Sequence, residues 1–171
     1  MKLFAFLLLV ASCGAVGIML SLSLTRRRRE LEAFALGVEL LETEMLFAQN
    51  PLWLSFTNVG KKLKGKVADV FTKIGQALAT DDYSSGAQAF AAVLEAEAPA
   101  LCLTTGDWEI LAALGCDLGI TDIERQSHKL QAAAAALNAA AADAAATEKK
   151  WQRIYGMGGW MLGIICGLLL I

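Results

Sequence analysis

The chain has 171 residues, 56 % of them hydrophobic and 19 % charged, and a net charge of −2. That balance argues against a nucleic-acid surface, and four cysteines with a single histidine cannot complete a zinc set and show no C-x-x-C spacing. No G-x-x-x-x-G-K-[ST] stretch is present to cradle a nucleotide, and no cofactor is expected.

The first element is an uncharged run from Leu3 to Leu24. At helical rise it covers roughly 33 Å, enough for a hydrocarbon core of about 30 Å. Arg26, Arg27, Arg28 and Arg29 close it. A second uncharged run, Ile154 to Ile171, follows Lys149, Lys150 and Arg153 and spans roughly 27 Å as a helix. Both apolar ends carry positive charge on the side facing the middle, so the positive-inside tendency places the middle in the cytoplasm and both termini outside. The expected division is a transmembrane helix over 1–25, a cytoplasmic domain over 26–153 and a second transmembrane helix over 154–171. Gly159, Gly163 and Gly167 recur every fourth residue in the second span, a strip that allows close approach of another membrane helix. A competing reading of the N-terminus comes from Val10-Ala11-Ser12-Cys13-Gly14, which has the form of a lipoprotein signal with Cys13 as the acylated residue. The apolar run continues well past Cys13, and lipidation would leave the arginines on the outer side.

The middle is long enough for one domain with its own core. Only Lys2 of the fifteen basic residues lies outside it and all seventeen acidic ones lie inside, giving a charge of about −3. Leu31, Phe34, Val38, Leu41, Met45 and Ala48 make an apolar stripe on a helix from about residue 28 to 49, with Glu30, Glu32, Glu39, Glu42 and Glu44 on its other faces. Asn50-Pro51 stops that helix. A short helix over 52–59 leads to a lysine-glycine turn, whose Lys61, Lys62, Lys64 and Lys66 read as a solvated loop or one resting on anionic lipid. Val67, Val70, Phe71, Ile74 and Leu78 mark the third helix, and Gly86 to Ala98 the fourth, ended by Pro99. The fifth covers about 107–118, capped by Thr104 or Thr105 and terminated at Gly119. Thr121-x-x-Glu124 is a capping box opening a sixth helix over 122–153, where alanine tracts secure the helix and favour a rigid stalk.

Leu41-Glu42-Thr43-Glu44 followed by Asn50-Pro51-Leu52, then Leu114-Gly115-x-x-Leu118-Gly119-x-x-Asp122 with Gln126, and finally Trp151-x-x-x-Tyr155-Gly156 entering a glycine-rich end, resemble the stage III sporulation protein AB family over essentially the whole chain. The arginine tetrad and alanine tracts are heavier than that family's usual pattern. The resemblance implies an all-α fold: a compact cytoplasmic bundle of about six helices, similar to the F domain of type II secretion platform proteins, with one transmembrane helix at each end. It implies a place in the mother-cell membrane around the forespore, in a channel complex needed for endospore development. There the domain would dock a secretion-type ATPase, the spans would meet lipid and other membrane proteins of the complex, and pairing into a homo-oligomer is a reasonable extension. Glu42, Glu44, Gly119, Asp122 and Gln126 carry the resemblance, so the Glu42 helix and the 119–122 turn are expected to form one structural neighbourhood or partner surface.

Two other classes remain. An enzyme would need Cys102 or Cys116 near His128, but both thiols have apolar neighbours and His128 has polar ones, and Glu42 and Glu44 stand two positions apart and cannot share a helix face. A generic scaffold, either a secretion or pilus platform or a lipid-anchored helical protein, is the second alternative.

Overall fold

Heptad-like spacing of apolar residues produces helices, and helices are all that forms among the described residues. A computed structural model describes the backbone of residues 2–48, 50–80, 83, 85–116 and 123–170, and the side chains of 19, 21–47, 50–80, 83, 85–115 and 125–151. The order is α1 (Lys2–Thr43), a π-helical turn (Glu44–Ala48), α2 (Leu52–Lys62), α3 (Lys66–Ala79), α4 (Gly86–Glu97), a 3-10 turn (Ala98–Ala100), α5 (Thr105–Cys116) and α6 (Ile123–Leu170). The chain divides into two compact units, Met1–Arg28 with Ala142–Ile171, and Arg29–Ala141.

In the Arg29–Ala141 unit, α1 buries Leu31, Phe34, Ala35, Val38 and Leu41. The stripe expected to continue through Met45 ends there, because the wider π turn changes the residue spacing. Met45 is half-buried and Phe47 is 82 % exposed; Ala48 lies outside the described side chains. A row of aromatic rings threads four helices: Phe34 to Phe71 at 6.1 Å, Phe71 to Phe56 at 5.7 Å and Phe56 to Phe90 at 6.2 Å, all tilted. Phe90 in turn lies against α5, where a methyl on Gly115 would come within 2.3 Å of its ring.

Several boundaries move from where the sequence put them. α2 runs to Lys62, past Gly60, because Gly60 packs its bare Cα on Thr72 of α3 and Leu63 then inserts into the core. The turn follows at Gly65, which has a left-handed φ of 76°. Ser85 caps α4, its hydroxyl accepting from the Gln88 amide at 3.3 Å. α4 ends at Glu97, one residue short of the expected Ala98, and Pro99 sits inside the 3-10 turn that leads to Leu101. Thr104 rather than Thr105 caps α5, its carbonyl accepting from Trp108 N at 3.1 Å. The terminator Gly119 and the Thr121–Glu124 box lie outside the described residues.

The alanine-rich helix expected as a rigid stalk is packed in this unit. α6 buries Leu130, Ala134, Leu137 and Ala141, alternating steps of four and three. Its small side chains suit close packing, and its hydrogen bonds to α1 set an antiparallel register: Ser127 and Gln131 meet Glu42, and Asn138 meets Glu39.

In the Met1–Arg28 and Ala142–Ile171 unit, α1 and α6 are held together by Glu148. Its two carboxylate oxygens accept from Thr25 Oγ1 and from Arg28 Nε, each at 2.7 Å. Ala144 is buried beside this contact's helix turn, while Met19 and Leu22 are exposed at 73 % and 53 %. Among the described residues no helix is long and apolar enough to cross a membrane. The runs Leu3–Leu24 and Ile154–Ile171 fall almost entirely outside the described side chains.

Candidate functional site: the acidic clasps of the first helix

The glutamates of α1, expected to decorate a solvated face, are tied to other elements. Glu30 accepts the backbone N–H of Cys102 at 2.6 Å and so pins the segment entering α5. Glu39 accepts from Asn138 Nδ2 at 3.2 Å. Glu42 accepts from Ser127 Oγ at 2.6 Å and Gln131 Nε2 at 2.7 Å through one oxygen, Oε1. Glu44, in the π turn, takes Lys62 Nζ at 2.6 Å on one oxygen and Asn50 Nδ2 at 3.3 Å on the other. Bonds to a carboxylate are stronger than neutral ones, so the glutamates along α1 and its π turn act as a set of clasps for α2, the α5 entrance and α6.

Glu42 and Glu44 thus serve different partners, as their two-residue separation requires. Beside Lys62, whose ammonium donates to it, the Glu44 carboxyl is held below its ordinary pKa, with Asn58 and Asn50 adding to the effect and burial opposing it. Glu42 meets the opening turns of α6, a few residues beyond the 119–122 turn. Gly119 and Asp122 themselves lie outside the described residues, so the neighbourhood expected between them and Glu42 falls there too. Gln126 is buried at 6 % exposure, and its Nε2 finds no hydrogen-bond partner among the described residues.

Of the basic residues, Arg26 and Arg29 are exposed, Arg27 is half-buried and engaged, and Arg28 pairs with Glu148. Lys149 and Lys150 are exposed; the Arg153 side chain and the expected contacts of Gly159, Gly163 and Gly167 lie outside the described residues. The lysine cluster is split: Lys62 holds Glu44, Lys66 donates to the Ala100 carbonyl, and Lys61 and Lys64 are exposed. Cys102 is a half-buried free thiol, His128 is exposed, and Cys116 lies outside the described side chains. Among the described residues no group of three or more His, Cys, Asp or Glu is placed to hold a metal.

Three features escaped the sequence reading. Asp107, 3 % exposed, accepts from Thr104 N and from Thr104 Oγ1, each at 2.8 Å, the reach-back half of a capping box whose T-x-x-D spacing was legible. The Glu30 and Glu148 contacts join residues 72 and 120 positions away, and no local pattern announces them. Between α4 and α5 lies an open apolar groove of about 370 Å³, walled by Phe90, Leu94 and Trp108.

The family model described as Stage III sporulation protein AB matches residues 2–171. The Stage III sporulation protein AB of Bacillus subtilis (strain 168) is 26 % identical over 172 residues, covering 100 % of this chain and 99 % of that protein. A solved structure of a stage III sporulation protein AB is similar with a TM-score of 0.68 and 25 % identity, covering 73 % of this chain and 98 % of that one. With sequence matched from end to end and the helical fold shared, the chain belongs to the stage III sporulation protein AB family.

Proposed function

We propose that this sporulation protein is a non-enzymatic membrane platform of the channel complex between mother cell and forespore. Residues 1–25 and 154–171 cross the mother-cell membrane around the forespore, residues 26–153 form a cytoplasmic domain similar to the secretion F domain, and that domain docks the complex's ATPase. The observation that carries the reading is the match to the stage III sporulation family over residues 2–171, both apolar ends included. The exposed Met19 and Leu22 support lipid contact, and the Arg26–Arg29 and Lys149–Lys150 clusters support the orientation.

Deletion in the native sporulating host tests the role: development should arrest after engulfment, and normal spore yield with lost secretion or pili would transfer the chain to a generic platform. Orientation is tested with Gln88→Cys on the exposed face of α4. An impermeant maleimide should label it only in broken cells; labelling in intact cells, or recovery of an acylated Cys13 after N-terminal processing, overturns the topology. Docking is tested by co-purifying the full chain in detergent with the complex's ATPase, and charge reversal at Glu42 or Asp122 that leaves assembly intact removes those residues from the partner surface.

A further inference from the structure

The groove between α4 and α5 is built from a specific economy of side chains. Phe90 and Leu94 form the α4 wall and Trp108 the α5 wall, while Ala91, Ala112 and Gly115 leave the floor shallow. Because Gly115 has no Cβ, the Phe90 ring packs directly against α5 there. The two helices form an antiparallel hairpin, with Gly115 beside Phe90 at one end and Trp108 beside Leu94 and Ala98 at the other. Glu95 lines the groove at the Trp108 end, and Glu109, next in sequence to Trp108, is exposed at the same end. Neither carboxylate has a partner among the described residues, in contrast to the clasped glutamates of α1.

The charge around the groove selects what covers it. From Ile74 to Glu124 the sequence contains no lysine, arginine or histidine, while Glu95, Glu97 and Glu109 flank the hairpin and Lys73, just outside, is already paired with Glu97. A second copy docking groove to groove would bring these acids together, and anionic lipid or nucleic acid would be repelled in the same way. A small molecule would need converging buried polar groups to orient it, and the lining offers only the exposed Glu95. An apolar trough between two helices, with unpaired acids at one end, suits the ridge of a third helix.

We propose that the α4–α5 groove is a docking site for an amphipathic helix of a partner protein, whose apolar ridge enters between Phe90 and Trp108 and whose lysine or arginine residues meet Glu95 and Glu109. The clasping glutamates do not line this groove, and its occupant need not be the ATPase.

The test selects helices without presupposing a partner. The full chain in nanodiscs of neutral lipid is panned against a display library of amphipathic helices with a fixed apolar ridge and randomised flanks. Enriched sequences should concentrate basic residues at one end of the ridge. Their binding should be lost on Ala91→Trp, which fills the groove from an exposed position, and weakened about tenfold at low salt by Glu95→Lys with Glu109→Lys, a surface change that leaves the core intact. Enrichment without basic residues, equal binding to both variants, or no enriched helix at all overturns the proposal. So does self-association of the chain that Ala91→Trp abolishes, which would assign the groove to a second copy.

Discussion

The α2–α3 seam offers the sharpest test of the packing argument. Gly60 of α2 faces Thr72 of α3, and Gly75 of α3 faces Thr57 of α2, a reciprocal pair that brings the two backbones together. A methyl group on Gly75 would lie 2.4 Å from Thr57 Oγ1, 2.9 Å from Thr57 N and 2.9 Å from Trp53 O. No rotamer relieves this. The Thr57 hydroxyl is itself bonded to Trp53 O at 2.9 Å, and the other two atoms are helix backbone. Restoring ordinary contact requires the helices to part by roughly 0.5–1 Å, which forfeits a quarter to a half of the dispersion energy of each atom pair affected. Overpacking of this kind costs about 1–3 kcal/mol, and alanine's better helix propensity returns about 1. Gly75→Ala should therefore destabilise the seam by up to about 2 kcal/mol. Amide hydrogen exchange on the full chain in mild detergent reads this locally: α2 and α3 peptides should exchange faster, by up to about thirtyfold, since each 1.4 kcal/mol is a factor of ten. Gly60→Ala, with contacts of 2.3 Å to Thr72 Oγ1 and 3.0 Å to Thr72 N, should act in the same direction. The double variant should cost less than the sum, because a seam opened once accommodates the second methyl. Slower exchange in Gly75→Ala would refute the reasoning, since propensity would then outweigh contact and the seam could not be as tight as the geometry states.

Other perturbations test the clasps. Asp107→Ala strips the α5 cap of its acceptor and should cost about 1 kcal/mol, visible as faster exchange confined to the first turn of α5; unchanged exchange there would separate the cap from helix stability. Glu42→Ala leaves Ser127 and Gln131 without their shared acceptor and should destabilise by about 1–3 kcal/mol in urea titration, with Glu42→Gln recovering part of the loss. For Glu44, a carboxyl depressed by Lys62 contributes stability that is fully present above its unfolded pKa and is lost as pH falls through the lower folded value. Melting temperature should accordingly fall on acidification below the ordinary glutamate range near 4.3, and Lys62→Met should flatten that part of the profile; an unaltered slope in Lys62→Met would assign the acid sensitivity to another carboxylate.

Local chemistry was legible without coordinates. Apolar periodicity in α1 and α3, Ser85 before α4, Pro51 before α2 and the alanine tracts of α6 each act within one or two turns, so local sequence marked where helices form, though not every boundary. The tertiary structure decided what those helices do with their polar residues. The glutamates of α1 and its π turn look solvated in sequence, yet Glu30, Glu39, Glu42 and Glu44 are bound to Cys102, Asn138, Ser127 with Gln131, and Lys62 with Asn50, because the partners arrive from remote segments only when the bundle closes. The same closure lets Gly60 remain inside α2 and places Gly115 under Phe90, since the value of a missing Cβ depends on which neighbour approaches it. Helix formation is a near-neighbour property of the chain, whereas clasps, seams and grooves depend on distances between segments that only packing sets.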